Sequence, residues 1–238
     1  MIAMKYVLYS IFLLSVIFFN CSKDDGTINS NIDDNPDTTS TIKLLSLGDS
    51  YTIGQSVCTS CRFPEQLKDS LKKIQTQYDF SLEIIATTGW TTTDLKNAIA
   101  DSNLNNDFDL VTLLIGVNNQ YQGKPFSLYE NEFPELVSTA ITLAKGDANR
   151  LIVVSIPDYA YTPFGQGNSE ISEEIDIYNA FARNYCNSNG ITFIDITDIT
   201  RLGLEQPQLV ASDGLHPSEL AYSKFVERLL PAALQKLQ

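Results

Sequence analysis

Five short apolar runs, each followed by a stretch of helical periodicity, set the tightest limit on how this chain can fold. They read IKLLSL at residues 42–47, SLEIIAT at 81–87, DLVTLLIG at 109–116, RLIVVSIP at 150–157 and ITFIDI at 191–196. Strands with near-continuous apolar runs are buried on both faces, and such strands belong to parallel sheets covered by helices. The helical patterns lie between and after them. One opens at Pro64 with Leu67, Leu71, Ile74 and Tyr78 on one face; the others cover residues 92–102, 134–145, 171–187 and 218–237. Right-handed crossovers turn this alternation into an α/β fold, a three-layer α/β/α sandwich around a central, mostly parallel five-stranded sheet. The third run is the most apolar and is expected at the centre. Loops at the carboxyl ends of such strands carry the site, and the two longest are expected at residues 118–134 and 158–172.

The N-terminal segment stands apart from this pattern. Lys5 precedes an almost unbroken apolar run over residues 6–19, and Cys21 follows at once, ahead of SKDDG. The length of the run suits the apolar region of a signal peptide, over residues 1–20, better than a spanning helix. With the Cys it resembles a bacterial lipoprotein signal. That resemblance implies cleavage before Cys21, lipidation of its thiol, and a membrane anchor in the cell envelope, at the outer membrane. Residues 21–41 are polar, rich in Asn, Asp, Ser and Thr, and aperiodic, which describes a flexible tether. Residues 42–238 are expected to form one domain, long enough for a sizeable core. The formal net charge of −13, with no Lys/Arg cluster, leaves no basic footprint for nucleic acid.

Three cysteines remain. Cys58 and Cys61 stand in CTSC, without the further Cys or His ligands of a zinc site, and in an exported chain a local disulfide is expected. Cys186 falls on a helical pattern and reads as a small buried hydrophobe.

The polar groups at the strand ends are the candidates for chemistry. Ser50 follows the first strand in GDSYTIG, and by itself could be a nucleophile, a helix cap or a loop hydroxyl. Gly89 follows the second strand, and Gly116, Val117, Asn118 and Asn119 follow the third. The only histidine is His216, in SDGLHPSEL, with Asp213 three residues before it and Ser218 as the expected cap of the last helix. Attack by a serine hydroxyl needs a base near neutrality, and an imidazole base needs a carboxylate to hold its tautomer. Asp213 and His216 supply both if their loop folds back to the same sheet edge; otherwise His216 is structural. There is no Gly-x-Ser-x-Gly elbow, phosphate loop, dinucleotide fingerprint or His-rich cluster, so no cofactor and no metal are expected.

Four blocks in this order, GDSYT at 48–52, TTGWTT at 87–92, GVNN at 116–119 and DGLHP at 213–217, resemble those of the GDSL or SGNH hydrolases. The resemblance implies a flavodoxin-like fold and a serine hydrolase of carboxylic esters. It implies Ser50 as nucleophile, His216 as general base and Asp213 as its orienting acid. The oxyanion hole would comprise the Ser50 and Gly89 N–H groups and the Asn118 side chain, with Asp49 supporting the turn. The third block usually ends in Asp, where this chain has Asn119. Family substrates include acetylated sugars, lysophospholipids, thioesters and aryl esters. Trp90, Tyr121, Tyr159 and Tyr161 near the expected site either stack on a sugar ring or pack the loops. A short-chain or O-acetyl ester, on a carbohydrate, is the leading expectation. A lysophospholipase or thioesterase, and a ligand-binding surface lipoprotein without catalysis, are the alternatives.

Overall fold

The structure, a computed structural model, describes residues 40–238. Five strands, β1 (Thr41–Gly48), β2 (Asp79–Ala86), β3 (Leu110–Leu114), β4 (Leu151–Val154) and β5 (Thr192–Ile194), form one sheet in the order β2-β1-β3-β4-β5. Every pairing is parallel. The most apolar run, β3, is central, and all five of its residues are buried. Thr41, read from sequence as the end of the tether, is the first residue of β1. The signal peptide, Cys21 and residues 22–39 lie outside the described residues.

Helices cover the sheet in two sets. Helix α2 (Phe63–Ile74) packs against α8 (Glu219–Lys236), while α5 (Phe126–Leu143) packs against both α3 (Thr92–Asp101) and α6 (Ser169–Ser188). Three shorter helices sit at strand ends: α1 (Ser50–Ile53) after β1, α4 (Val117–Tyr121) after β3 and α7 (Thr197–Thr200) after β5. The local start signals are visible in sequence. Thr91 caps α3 in a reciprocal box with Asp94, and the Ser218 hydroxyl caps α8 at Ala221 N.

Several expected boundaries are corrected. The helix opening near Pro64 ends at Ile74, which is exposed, so Tyr78 is not on its face but in the turn before β2. Strand β2 is not buried on both faces; it is a sheet edge whose exposure alternates along DFSLEIIA. Residues 118–134 are not a loop, because α4 occupies their start and α5 begins at Phe126, eight positions ahead of Pro134. The proline lies inside α5. A proline there costs about 3 kcal/mol. Packing outweighs it: Tyr129 and Phe133, both 1% exposed, join Phe126 on α5 against Tyr178, Phe181 and Tyr185 of α6, with ring centroids 4.7–6.1 Å apart across the interface. Burying each such ring contributes about 1.5–3 kcal/mol.

The same cluster reaches the end of β3. Gly116 has φ 129°, and a Cβ there would stand 2.5 Å from Tyr129 Cε2. A side chain meets both an unfavourable backbone region and a fully buried ring. Gly116→Ala is expected to destabilise the fold by about 2 kcal/mol or more. A thermal melt that matches the wild type would refute this account of the turn.

Candidate active site

The register of the sheet sets the site. Gly48, the last residue of β1, pairs with Ala86 of β2 on one side and with Leu114 of β3 on the other. The three strands therefore end level. The chain runs from β1 outward to β2 and then back across to β3, so the crevice between β1 and β3 is the topological switch point of the sheet. The groups after these strands are delivered into that crevice.

Asp49, not Ser50, is the cap of α1. Its Oδ1 accepts from Tyr51 N at 3.0 Å, and Ser50 is the first residue of the helix. An N–H in the first turn of a helix has no intrahelical acceptor. Among the described residues no hydrogen bond within the protein occupies the Ser50 N–H or the Gly89 N–H. Gly89 takes φ 85°, and its carbonyl is held by Gln122 Nε2 at 2.8 Å. Asn118 is nearly buried on α4; its Nδ2 donates to the Trp90 carbonyl at 3.0 Å and makes a long contact of 3.4 Å to Asp49 Oδ2.

The loop before α8 does fold back. An isolated bridge pairs Val210 with Pro217, Ala211 N donates to the His216 carbonyl at 2.7 Å, and Phe164 N donates to the Gly214 carbonyl at 3.0 Å. His216 is 7% exposed, its ring 5.1 Å from that of Tyr51, and its Nδ1 lies 2.6 Å from Asp213 Oδ2. That leaves Nε2 as the ring nitrogen without the carboxylate. Ser50, Gly89, Asn118 and His216 line one pocket of about 180 Å³, walled mainly by Val117, Tyr121, Tyr159, Phe164 and Leu215.

The two carboxylates of the site are driven in opposite directions. Asp49 is fully buried; that burial raises its pKa, the hydrogen bonds from Tyr51 and Asn118 only partly oppose it, and the result is about 7. Asp213 is partly exposed. Its burial would also raise it, but hydrogen bonds from the Ser56 hydroxyl, the His216 N–H and ring, and the Leu215 N–H hold the carboxyl well below the usual range.

Asn119, the departure from the usual third block, is fully buried. Its Oδ1 accepts from Thr92 N at 2.9 Å and its Nδ2 donates to Thr92 Oγ1 at 2.7 Å. The single Thr92 hydroxyl proton goes to Glu132 Oε2 at 2.5 Å, where the Thr93 hydroxyl also donates. A carboxylate at position 119 would have to compete with Glu132 for that proton, so the amide is the matched partner here. Glu132 carries no local signal, because it lies ahead of Pro134, where the sequence pattern places the start of the helix.

The loop after β4 is anchored rather than free. The Asp158 carboxylate, fully buried, accepts from Arg201 Nε at 2.9 Å, Ser172 Oγ at 2.5 Å and Ala160 N at 3.0 Å. This fixes Tyr159 and Phe164 against the pocket. Of the four aromatics expected near the site, Tyr121 and Tyr159 line the pocket, whereas Trp90 and Tyr161 do not. Phe164, Leu215, Tyr51 and Ser56 were not anticipated. Tyr51 had the one available signal, an aromatic directly after Ser50. Cys58 and Cys61 are joined in a disulfide, and Cys186 is free and buried. Among the described residues no cluster of three or more His, Cys, Asp or Glu is placed to hold a metal ion.

The sequence model of the GDSL-like Lipase/Acylhydrolase family matches residues 46–224. No curated protein matches the chain in sequence. Solved structures that resemble it include the lipase/acylhydrolase from Enterococcus faecalis, at TM-score 0.64 and 17% identity, covering 83% of this chain and 97% of that one. LAE5, an alpha/beta hydrolase enzyme from the metagenome of Lake Arreo, superposes at TM-score 0.63 with 19% identity over 85% of this chain and 99% of its own. Axe2, an acetylxylan esterase from Geobacillus stearothermophilus, does so at 0.61 with 20% identity over 84% and 95%. At such identities these chains share the fold.

The raised pKa of Asp49 has a stability consequence. Between its unfolded value of 3.8 and its folded value of about 7, the folded state holds a proton that the unfolded state has released. Stability conferred by this group therefore falls as pH rises through that window. Asn caps a helix as well as Asp does. Asp49→Asn is expected to gain thermal stability over the wild type at pH 8 relative to pH 4, and a pH-independent difference between the two melts would count against a perturbed Asp49.

Proposed function

Because the chain belongs to the GDSL-like lipase/acylhydrolase family, we propose that it is a serine esterase in which Ser50, His216 and Asp213 carry out acyl transfer to water. The observation that carries this reading is the 2.6 Å contact between Asp213 Oδ2 and His216 Nδ1, which leaves Nε2 as the base in the pocket that Ser50 lines. His216 Nε2 takes the Ser50 hydroxyl proton as Oγ attacks the ester carbonyl carbon. Charge develops on the carbonyl oxygen, toward which the Ser50 and Gly89 N–H groups are unoccupied donors. The Asn118 hydrogen now on the long Asp49 contact is the third. Burial raises the Asp49 carboxyl to about 7, so near neutral pH it opposes that charge less than a fully ionised neighbour would. His216 then protonates the leaving alcohol, and water hydrolyses the Ser50 ester through the same steps in reverse order.

The substrate class is argued from the walls. Tyr121 and Phe164 are 56% and 49% exposed at the mouth, with Tyr159 beside them, and all three rings lie 6.0–6.3 Å apart. Aromatic faces open to solvent beside a small pocket favour a short acyl group on an alcohol that stacks, such as an O-acetylated sugar. The fold is shared with an acetylxylan esterase, which supports the same direction. The apolar mouth also suits a longer acyl chain, as in a lysophospholipase or thioesterase. A p-nitrophenyl ester series with acetylated xylo-oligosaccharides separates the two: kcat/KM highest at acetyl supports the first, and a maximum at long chains the second.

Ser50→Ala and His216→Ala are each expected to remove nearly all hydrolysis while circular dichroism stays native. Asn118→Ala should lower kcat roughly 10²–10³-fold, the scale of one oxyanion donor. Asp213→Asn should cost no more than His216→Ala. Folded His216→Ala with wild-type turnover would refute the mechanism.

We also propose that Cys21 is lipidated and holds the enzyme at the cell envelope, since each buried acyl methylene contributes about 0.8 kcal/mol to anchoring. Mass spectrometry of the mature N-terminus tests it: an acylated Cys21 is expected, and an unmodified terminus beyond residue 21 would overturn the anchor.

A further inference from the structure

The turn after α1 contributes one side chain that the proposed mechanism does not use. Ser56 Oγ donates to Asp213 Oδ2 at 2.6 Å, across 157 positions of sequence, and the same oxygen meets His216 Nδ1 at 2.6 Å. The other oxygen is held from within its own loop. Asp213 Oδ1 accepts from Leu215 N at 2.9 Å and His216 N at 3.0 Å. Ser56 is thus the group outside the base's loop that fixes the oxygen facing the imidazole.

Its backbone is unusual. Ser56 has φ 67°, in the left-handed region that residues with a side chain rarely adopt. The surrounding turn imposes it. Gly54 and Gln55 both donate their N–H to the Ser50 carbonyl at 3.1 and 3.0 Å, and Val57 N donates to the Gly54 carbonyl at 3.3 Å. Arg62 Nη1 reaches the Ile53 carbonyl at 3.4 Å, and the disulfide between Cys58 and Cys61 closes the segment beyond. Such a φ at a residue with a side chain costs free energy and persists only where its surroundings hold it. Ser56 does not line the pocket.

We propose that Ser56 is a positioning residue for ester hydrolysis, its hydroxyl fixing Asp213 Oδ2 against His216 Nδ1 and so coupling the base's loop to the turn that carries the nucleophile. The proposal rests on the serine-esterase reading. A carboxylate torsion is broad and two-fold, so an aspartate with one oxygen unsupported turns easily. A serine hydroxyl has one proton to give. Donated to Oδ2, it holds that oxygen in place while lone-pair density remains for the Nδ1–H. The imidazole then keeps the tautomer with Nε2 bare toward Ser50.

The test is steady-state kinetics on p-nitrophenyl acetate with thermal melts. The proteins are the wild type, Ser50→Ala, Ser56→Ala, Ser56→Gly, Asp213→Ala and the Ser56→Gly/Asp213→Ala double variant. Ser56→Gly removes the hydroxyl and relieves the positive φ, so it should melt no lower than Ser56→Ala. It should nevertheless lower kcat roughly tenfold or more, the scale of a hydrogen bond to a charged group. KM should be unchanged, because Ser56 is not in the pocket wall. In the Asp213→Ala background the same substitution should cost nothing further. Wild-type kcat in Ser56→Gly with Ser50→Ala inactive overturns the role of Ser56 alone. So does an equal loss in both backgrounds, or a joint shift of KM and melting that marks a merely structural residue. Wild-type hydrolysis in Ser50→Ala overturns the esterase reading, and this proposal with it.

Discussion

The pairing of Gly48 with Ala86 on one side and Leu114 on the other is the constraint on which the site depends. It brings β1, β2 and β3 to a common level, so a serine, a glycine turn and an asparagine separated by 68 positions of sequence leave the sheet beside one another. A shift of one residue in either pairing would turn the side chains of that strand to the opposite face. The close packing of β1 and β3 opposes such a shift, because all five residues of β3 are buried, on one face of the sheet or the other. The core and the candidate active site are thus specified by the same hydrogen-bond ladder.

Environment then differentiates groups that are chemically alike. Asp49 and Asp213 are both carboxylates within the site. Asp49 is enclosed under α1 with few donors, and burial carries it to about 7. Asp213 lies nearer solvent and accepts from Ser56, Leu215 and His216, which keep it ionised well into acid. Under the proposed mechanism this division keeps a lasting anion behind the imidazole and lessens the negative charge beside the oxygen that acquires it.

Polar networks beneath the site hold the supporting loops in single arrangements. Asn119, Thr92, Thr93 and Glu132 satisfy one another across the gap between α3, α4 and α5. On the other side of the sheet's switch point, Asp158 gathers Arg201, Ser172 and Ala160 and so holds the loop carrying Tyr159 and Phe164. Buried groups of this kind are costly if any partner is lost, which makes these networks rigid supports for the pocket walls.

What the sequence determined by itself was local and periodic. Runs such as DLVTLLIG declare a buried parallel strand because their apolar character does not alternate, and Thr91, Ser218 and Pro64 mark helix starts through capping and fixed φ. The order of GDSYT, TTGWTT, GVNN and DGLHP along the chain pointed to strand-end groups gathered at one edge. Tertiary structure decided whatever depended on a distant partner. Helix α5 begins at Phe126 rather than Pro134 because rings on α6 offset the proline. Ser56 has no signature at all, since the partner of its hydroxyl among the described residues lies 157 positions away, and Glu132 and Phe164 matter through contacts that no local pattern encodes. Short-range propensity is written in neighbouring residues, whereas the pairing of one hydroxyl proton with one carboxylate oxygen exists only once the fold has brought them together.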